Sequence, residues 1–547
     1  MSTGTTAIDS PMIGTPSSST KSQAEAEVWI SRGQRLEDRG DFDAALDCYR
    51  QAAGCAPGYP RAHLNIGNAL RAMHRSDEAR AAFLETLRLD PDDVGGHFNL
   101  ALLYSVTADF ATARAELQEV MRLRPDLVAK VLDAESYILF ASGLRGDVDT
   151  ATLAREHFRV GNAIAEASAP AYAHWRNSSE TWRKLRVGYV SADFGPHPVA
   201  LFLGPILQRH DRALFDVYCY SNAAAGTPAN PVFQGRSSWL EIAALTDRQC
   251  SELIRADKID ILVDLSGHTE GNRLGMFAQH PAPVQATWLG YLNTTGLRAM
   301  DYRICDWQTD PEGQTERLHT EQLVRLPKTQ WCYEPWGAVP PSVVQRSDPG
   351  GPVVFGSFNQ SAKISDGCLD LWAQILQRVP NSRLTILDAR DDHARTELLE
   401  RLSRRTIRAE RVEIRGRAPI ADYYRAIANV DLALDTWPHN GATTTFDALW
   451  MGTPLIALRG DRGIARSTAS ILHTLGATEL IADTPEGYVE LNVRLALDVG
   501  RRAAFRRELR PSLACSALMD MKSFVADLEA AYREMWNSWC TSQTRRP

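Results

Sequence analysis

Between Asn440 and Pro454 the chain reads NGATTTFDALWMGTP. The apolar run Leu432-Ala-Leu434 leads into it, and a helical-looking Phe446-Asp-Ala-Leu-Trp450 follows three consecutive threonines, Thr443 to Thr445. Threonine is a mediocre helix former, so three of them at a helix start need a reason. Backbone N–H groups and the helix dipole at such a start favour an anion. Hydroxyls add donors, and the small Gly441 and Ala442 let a phosphate approach. Threonines also serve as plain N-caps, and the stretch alone leaves both readings open.

Two histidines also stand where strand-like runs end. His197 follows LRVGYVSADF in GPHP, and His268 follows IDILVDLSGH in SGHT. Ligands of open α/β sheets sit beyond the carboxyl ends of strands. With 13 histidines in the chain, a packed structural role stays open for both. Lys363, in NQSAK, read bare is a solvated lysine at a helix start. The Asp-x-Asp pairs Asp90/Asp92 and Asp147/Asp149 fall in the helical N-terminal region, away from these strand ends, so no metal is expected.

The elements that must position these residues alternate between strand and helix. From Lys184 on, LRVGYVSADF, FDVYCYSN and IDILVDLSGH read as buried strands separated by amphipathic helices, which implies a parallel sheet. A stretch rich in Pro, Gly and Ser follows, EPWGAVPPSVVQRSDPGGP. The alternation then restarts with VVFGSF, SRLTILDA, RVEIRG, DLALDT and PLIALRG as strands. Two Rossmann-like domains are expected, 184–335 and 353–540, joined by a linker at 336–352. The closing helix FVADLEAAYREMWNSWC is expected to pack back across both halves.

Upstream the chain repeats itself. Gly33, Gly67 and Ala101 are 34 residues apart, as are Tyr49, Phe83 and Leu117, Ala45, Ala79 and Ala113, and Pro57, Pro91 and Pro125. Small residues let paired helices approach, the larger column fills the gap, and the prolines end each unit. These columns resemble three tetratricopeptide repeats over 23–125. Such arrays form a concave surface for an extended peptide or act as a scaffold. Asn65 and Asn99 recur at one repeat position, where side-chain amides can pair with a peptide backbone or with their own helices. Residues 126–183 lack the columns and read as a helical linker. Residues 1–22, rich in Ser, Thr, Gly and Pro, read as a disordered tail without a signal-peptide pattern.

Bulk properties narrow the class. The 547 residues exceed one ordinary core, and 44% hydrophobic with 23% charged residues suits a soluble globular chain. A net charge of −7 argues against nucleic acid as a partner. No apolar run approaches the roughly 20 residues that span a membrane. Nine scattered cysteines without a C-x-x-C suit a reducing, cytoplasmic setting.

With these motifs on the page, the chain resembles the protein O-GlcNAc transferase family, glycosyltransferase family 41, and its SPINDLY-like branch in particular. The likeness is carried by VGYVSADFGPHPV, DILVDLSGHT, PAPVQATWLGYLNTTGLRAMDYRICD, FGSFNQSAKI, VPNSRL, LALDTWPHNGATTTFDALWMGTP and YREMW. The resemblance implies an α/β GT-B glycosyltransferase of two Rossmann-like domains behind an all-α repeat array. It implies transfer of one sugar, GlcNAc from UDP-GlcNAc, to Ser or Thr of proteins by an inverting, metal-independent mechanism without a cofactor. The SPINDLY-like branch adds GDP-fucose as the alternative donor, and a non-catalytic repeat scaffold is the reading from another class.

Residue by residue, the resemblance implies catalytic roles for His197 and Lys363. An imidazole of ordinary pKa near 6.5 suits taking a hydroxyl proton, and an ammonium offsets charge on a leaving diphosphate. Gln360, Lys363, Gly441, Thr443, Thr444 and Asp447 match residues that hold the nucleotide sugar, Asp447 at its ribose. GYLNTTG, from Gly290 to Gly296, matches a loop lining the sugar pocket, with His268, Gly290, Tyr291 and Thr294 as candidates. This chain departs from the animal enzymes at Ala442, Tyr423 and Ile420, where they carry two histidines and a lysine that help hold uridine and diphosphate. Relatives usually have Pro at the position of Leu292. The acceptor proteins, the oligomeric state, the sugar and the identity of the general base are not written in these residues.

Overall fold

The computed structural model describes residues 19–544 except 74, 107–108, 225, 336–350, 388–391 and 417. The expected 336–352 linker thus lies almost wholly outside the described residues, as do the first 18 residues of the expected tail. Residues 19–22 are not tail: they begin the helix Ser19–Glu37. The chain divides into two compact units, Met1–Ser142 and Gly143–Pro547.

In the first unit, α1 (Ser19–Glu37), α2 (Phe42–Cys55), α3 (Pro60–Ala72), α4 (Ser76–Leu89), α5 (Val94–Val106) and α6 (Phe110–Leu123) pack as successive hairpins. Aspartates cap α2 and α6, where Asp41 accepts from the Ala44 amide and Asp109 from that of Thr112. The 34-residue columns meet as their sizes require. A Cβ on Gly33 would overlap the Tyr49 ring, and one on Gly67 the Phe83 ring. In the third hairpin both partners change together, Ala101 with Leu117, and both are buried. The expected linker 126–183 is not one element. α7 (Val128–Gly143) places Val131, Ala134 and Ile138 in one core with Ala101, Ala113 and Leu117. α8 (Thr150–Ala167) belongs to the second unit, and residues 169–180 form neither helix nor strand. That stretch is held through its polar groups, as where Trp175 donates to the His280 carbonyl.

The second unit holds two sheets among the described residues. The first comprises β1 (Leu185–Ser191), β2 (Phe215–Ser221), β3 (Ser238–Glu241), β4 (Ile261–Asp264), β5 (Val284–Thr287), β6 (Tyr302–Asp306) and β7 (Gln322–Leu326), in the order β3-β2-β1-β4-β5-β6-β7. The second comprises β8 (Val353–Ser357), β9 (Ser382–Leu387), β10 (Val412–Arg415), β11 (Leu432–Leu434), β12 (Leu455–Leu458) and β13 (Ile481–Ala482), in the order β10-β9-β8-β11-β12-β13. All recorded pairings are parallel, in register from Leu185 opposite Phe215 to Ser191 opposite Ser221 for β1 and β2. Strand order reverses between β1 and β4 in one sheet and between β8 and β11 in the other. These are the switch points at which α/β sheets bind ligands.

One apolar core runs through both halves, from Leu185 to Cys540. The helices that start beyond β1 and β11, Pro198–Arg209 and Thr443–Trp450, meet through Phe202 and Phe446, 5.8 Å between ring centres. Tyr333 stacks on Phe446 at 4.8 Å and 4°. The C-terminal helix Met521–Thr544 corrects the sequence reading, because the contacts that fix it go to the N-terminal half. Glu529 accepts from His210 at 2.8 Å, the Tyr532 and Tyr189 hydroxyls are 3.1 Å apart, and Arg533 donates to the Thr181 and Arg183 carbonyls. Its residues therefore belong in space to the first sheet, although they follow the second in sequence.

Candidate functional site

At the C-terminal switch point the loops after β8 and β11 are tied together by one carboxylate. Asp435 is 5% exposed. Its Oδ1 accepts the Thr436 amide at 2.9 Å and the Gly441 amide at 2.8 Å, and its Oδ2 accepts the Thr468 hydroxyl at 2.6 Å. These bonds fold residues 436–441 back on themselves directly before the helix Thr443–Trp450. Only glycine fits at 441, since a Cβ there would overlap Thr444 Oγ1 and lie 2.9 Å from Asn359 Oδ1. No side chain caps this helix start, so its first amides are available to a ligand.

The three threonines are not equivalent. Thr445 is 1% exposed and turned inward, donating to the Gly441 carbonyl at 3.2 Å and lying 3.0 Å from the Thr468 hydroxyl. Thr443 and Thr444 stay half-exposed at the rim, with Thr444 donating to Asn359 Oδ1 at 3.0 Å. From the β8 side, Gln360 is exposed and Lys363 half-buried in the turn Ser361–Lys363. Burial lowers the Lys363 ammonium to about 8, against the opposing charge of Asp435. Burial in turn raises the Asp435 carboxyl to about 6. His439, on the same loop, is held well below its ordinary value by burial and by the Lys363 charge.

At the N-terminal switch point His197 caps the helix Pro198–Arg209, its Nδ1 accepting the Val199 amide at 3.3 Å. Asp193 Oδ2 lies 3.6 Å from the same nitrogen. Burial lowers the His197 pKa, the Asp193 charge opposes this, and the Lys363 charge lowers it further. His197 therefore sits in the electric field of Lys363. The two switch points face each other, and a cation from one half acts on an imidazole from the other.

The remaining candidates are placed less openly. His268 is 1% exposed, bonded through Nε2 to the Thr295 carbonyl at 2.8 Å, and lowered by burial to about 4. Thr294 is fully buried and donates to Glu321 at 2.6 Å. Tyr291 is 8% exposed and lies on Gly267, which has φ +52° and no room for a Cβ. Of the four sugar-pocket candidates only Gly290 keeps partial exposure, and its backbone abuts the Leu265 carbonyl. Tyr291 and Thr294 are thus buried within the loop Gly290–Gly296 itself, and His268 is buried against it.

Asp447, expected at a ribose, is 2% exposed. Its Oδ1 accepts the Tyr333 and Tyr424 hydroxyls at 2.5 and 3.2 Å, and its Oδ2 accepts that of Tyr423 at 2.9 Å. Burial lifts this carboxyl to about 6 against those three bonds. Tyr423 is the most exposed of the three, so the carboxylate expected at a ribose is enclosed by its own tyrosines. In the repeat unit, Asn65 and Asn99 are 7% and 8% exposed and donate to the carbonyls four residues back, at 2.8 and 2.9 Å. One N–H of each amide thus serves its own helix, as the helix-satisfying reading of these asparagines requires.

Sequence reasoning missed Asp435, Asn359, Thr468 and Asp193. A signal existed for the first: an aspartate closing the apolar run Leu432–Leu434, before a turn that needs its amides collected. Thr468 carries no local signal, because its role comes from contact across 33 residues.

Comparisons with known proteins give the family and agree with the fold. The profile of glycosyl transferase family 41 matches residues 150–340 and 341–528, and a tetratricopeptide profile matches 30–94 and 64–127. A Petunia hybrida protein named probable UDP-N-acetylglucosamine–peptide N-acetylglucosaminyltransferase SPINDLY is 39% identical over 381 residues, 68% of this chain and 40% of that protein. The Arabidopsis thaliana SPINDLY protein of the same name is 37% identical over 385 residues, 68% of this chain and 42% of its own length. The matched region thus spans about two fifths of these curated relatives. A solved Thermobaculum terrenum O-GlcNAc transferase, a lysine-to-methionine mutant, superposes with TM-score 0.78 at 32% identity, covering 97% of this chain and all of that one.

Proposed function

The chain belongs to glycosyl transferase family 41, and on that premise we propose that it transfers a single sugar from a nucleotide donor to Ser or Thr of proteins. UDP-GlcNAc is the donor favoured by the names of its relatives. The observation that carries the reading is the placing of Lys363 in a field shared with His197 and with Asp435, beside an uncapped helix start. The donor diphosphate lies against the amides and hydroxyls of Thr443 and Thr444, with Gln360 at the nucleotide. As the acceptor oxygen attacks the anomeric carbon and the sugar–phosphate bond breaks, charge grows on the diphosphate, and Lys363 offsets it. His197 stands at the acceptor side with Nε2 as its remaining ring nitrogen. The displacement is direct and inverting. No cofactor or metal is required on this reading, so EDTA leaves the rate unchanged.

GDP-fucose is the second donor reading. It is favoured by Tyr423, whose hydroxyl is spent on Asp447 where animal enzymes have a histidine, and by Ala442 at the phosphate loop. Thermal-shift titration with UDP and with GDP separates the bases, and tritiated UDP-GlcNAc and GDP-fucose on a peptide array separate the sugars. Labelling from neither donor returns the chain to a non-catalytic repeat scaffold. Protein acceptors are held by the cleft and by the repeats. Among the described residues no helix is long and apolar enough to cross a membrane, and the nine cysteines are free. We place the protein in the cytoplasm on that cysteine usage.

A further inference from the structure

α8 follows the repeats in sequence and precedes β1, yet it is built into the loop Gly290–Gly296. At Gly161 the helix touches that loop directly: a Cβ there would overlap the Gly296 carbonyl group. Gly296, at φ +73°, presses in turn on the His157 carbonyl. His157, four residues before Gly161 and so on the same helix face, is fully buried. Its Nδ1 lies 2.7 Å from the Leu153 carbonyl, which only accepts, so Nδ1 carries the hydrogen. Burial keeps the ring neutral, with its pKa lowered to about 3. Nε2 is therefore an acceptor, and the Tyr291 hydroxyl donates to it at 2.6 Å.

The tautomer of one buried imidazole thus dictates where the Tyr291 hydrogen points. Tyr291 lies on Gly267, directly beyond β4 at the N-terminal switch point. Tyr291 is also flanked by His268, 5.6 Å between ring centres. The α7–α8 turn reaches the other half of the cleft. Arg462 donates to the Arg145 and Val148 carbonyls at 2.8 and 3.0 Å, and Gly146 abuts the Trp437 ring, two residues from His439.

We propose that His157 is a positioning residue of the transfer site: by accepting the Tyr291 hydroxyl it pins the loop Gly290–Gly296 and so sets how tightly the donor sugar is held. The inference rests on the transferase reading for its kinetic consequence, not for the pinning itself.

The test compares the full-length wild type with His157→Phe, which keeps bulk without an acceptor, His157→Gln, which restores one, and Tyr291→Phe. Donor KM is expected to rise about five- to tenfold in His157→Phe and Tyr291→Phe, with kcat within about twofold. The double variant is expected to be no worse than either single one. His157→Gln is expected to recover most of the loss. Hydrogen exchange of residues 291–297 is expected to quicken about tenfold in His157→Phe, with β1 unchanged. Unaltered loop exchange overturns the proposal, as does a fall in kcat at constant KM. If the wild type transfers neither sugar, the functional reading fails, while the exchange measurement still decides the pinning.

Discussion

The Gly441 amide and the Asp435 carboxylate, six residues apart, are joined by a 2.8 Å hydrogen bond. The same carboxylate lies in the field of Lys363 and moderates the lowering of its ammonium. One side chain thus shapes the turn before the helix Thr443–Trp450 and favours the charged form of the nearby Lys363.

Asp435→Asn is expected to cut kcat/KM by two orders of magnitude or more, because it disturbs both the turn and the charge state of Lys363. Buried donors left with a weaker acceptor cost on the order of 1–3 kcal/mol, so the melting temperature falls as well. Loss of transfer should exceed what the fraction unfolded explains. Kinetics at a temperature well below melting check this.

Lys363→Ala separates activity from stability. The ammonium is half-buried and its pKa is lowered to about 8 by burial. Between about 8 and the ordinary lysine value the unfolded chain binds the extra proton, so this group makes stability rise with pH over that window. Removing it should leave melting at pH 7.5 unchanged or higher, lessen the rise above pH 8, and lower transfer by roughly 100-fold or more. In the wild type, kcat/KM is expected to fall as pH climbs through about 8, since the free enzyme then loses its cation. A pH series on both proteins checks each sign.

Much of the fold was legible in sequence because the signals are local. The stretch from Leu432 to Trp450 is a strand, a glycine-bearing turn and a helix, and the repeats carry their own internal register. The threonine run was read as one feature, yet helical geometry points Thr443 and Thr444 outward and Thr445 into the core. β3, β5, β6, β7 and β13 went unassigned because they are short, from two residues in Ile481–Ala482 to five in Tyr302–Asp306 and Gln322–Leu326. α8 looked like a spacer, since the signal on its inner face is two residues, His157 and Gly161, whose partners lie more than 130 residues away. The tyrosine cage of Asp447 was hidden because its members come from positions 23, 24 and 114 residues away.

That cage yields a pH-dependent difference. Burial lifts Asp447 from 3.8 to about 6, so between those values the folded protein holds a proton that the unfolded chain has lost. Stability from this group therefore falls as pH rises from about 4 to about 6, by on the order of 3 kcal/mol in full. Asp447→Asn mimics the protonated form. It should melt close to the wild type at pH 4.5 and higher than it at pH 7.5. Equal differences at both pH values would show that the carboxylate stays ionised throughout. Tyr423→Phe, which removes the bond to Oδ2, takes away a hydrogen bond that lowers this pKa, so in that background the gain from Asp447→Asn at neutral pH should widen.

The repeat columns give a test that needs no activity. A Cβ on Gly67 would overlap the Phe83 ring, and both residues lie in the core of the first unit. Gly67→Ala should therefore destabilise that unit by about 1–3 kcal/mol through overpacking, even though alanine is the better helix former. Phe83→Leu alone should cost about 1–2 kcal/mol by leaving a gap above the glycine. The third hairpin shows the compatible pair, Ala101 with Leu117, both buried at the same 16-residue spacing. Combining Gly67→Ala with Phe83→Leu should thus cost less than the sum of the two by roughly 1 kcal/mol or more. Hydrogen exchange across α3 and α4 in the four proteins measures that coupling. Strict additivity would mean that the columns share a period without sharing a contact.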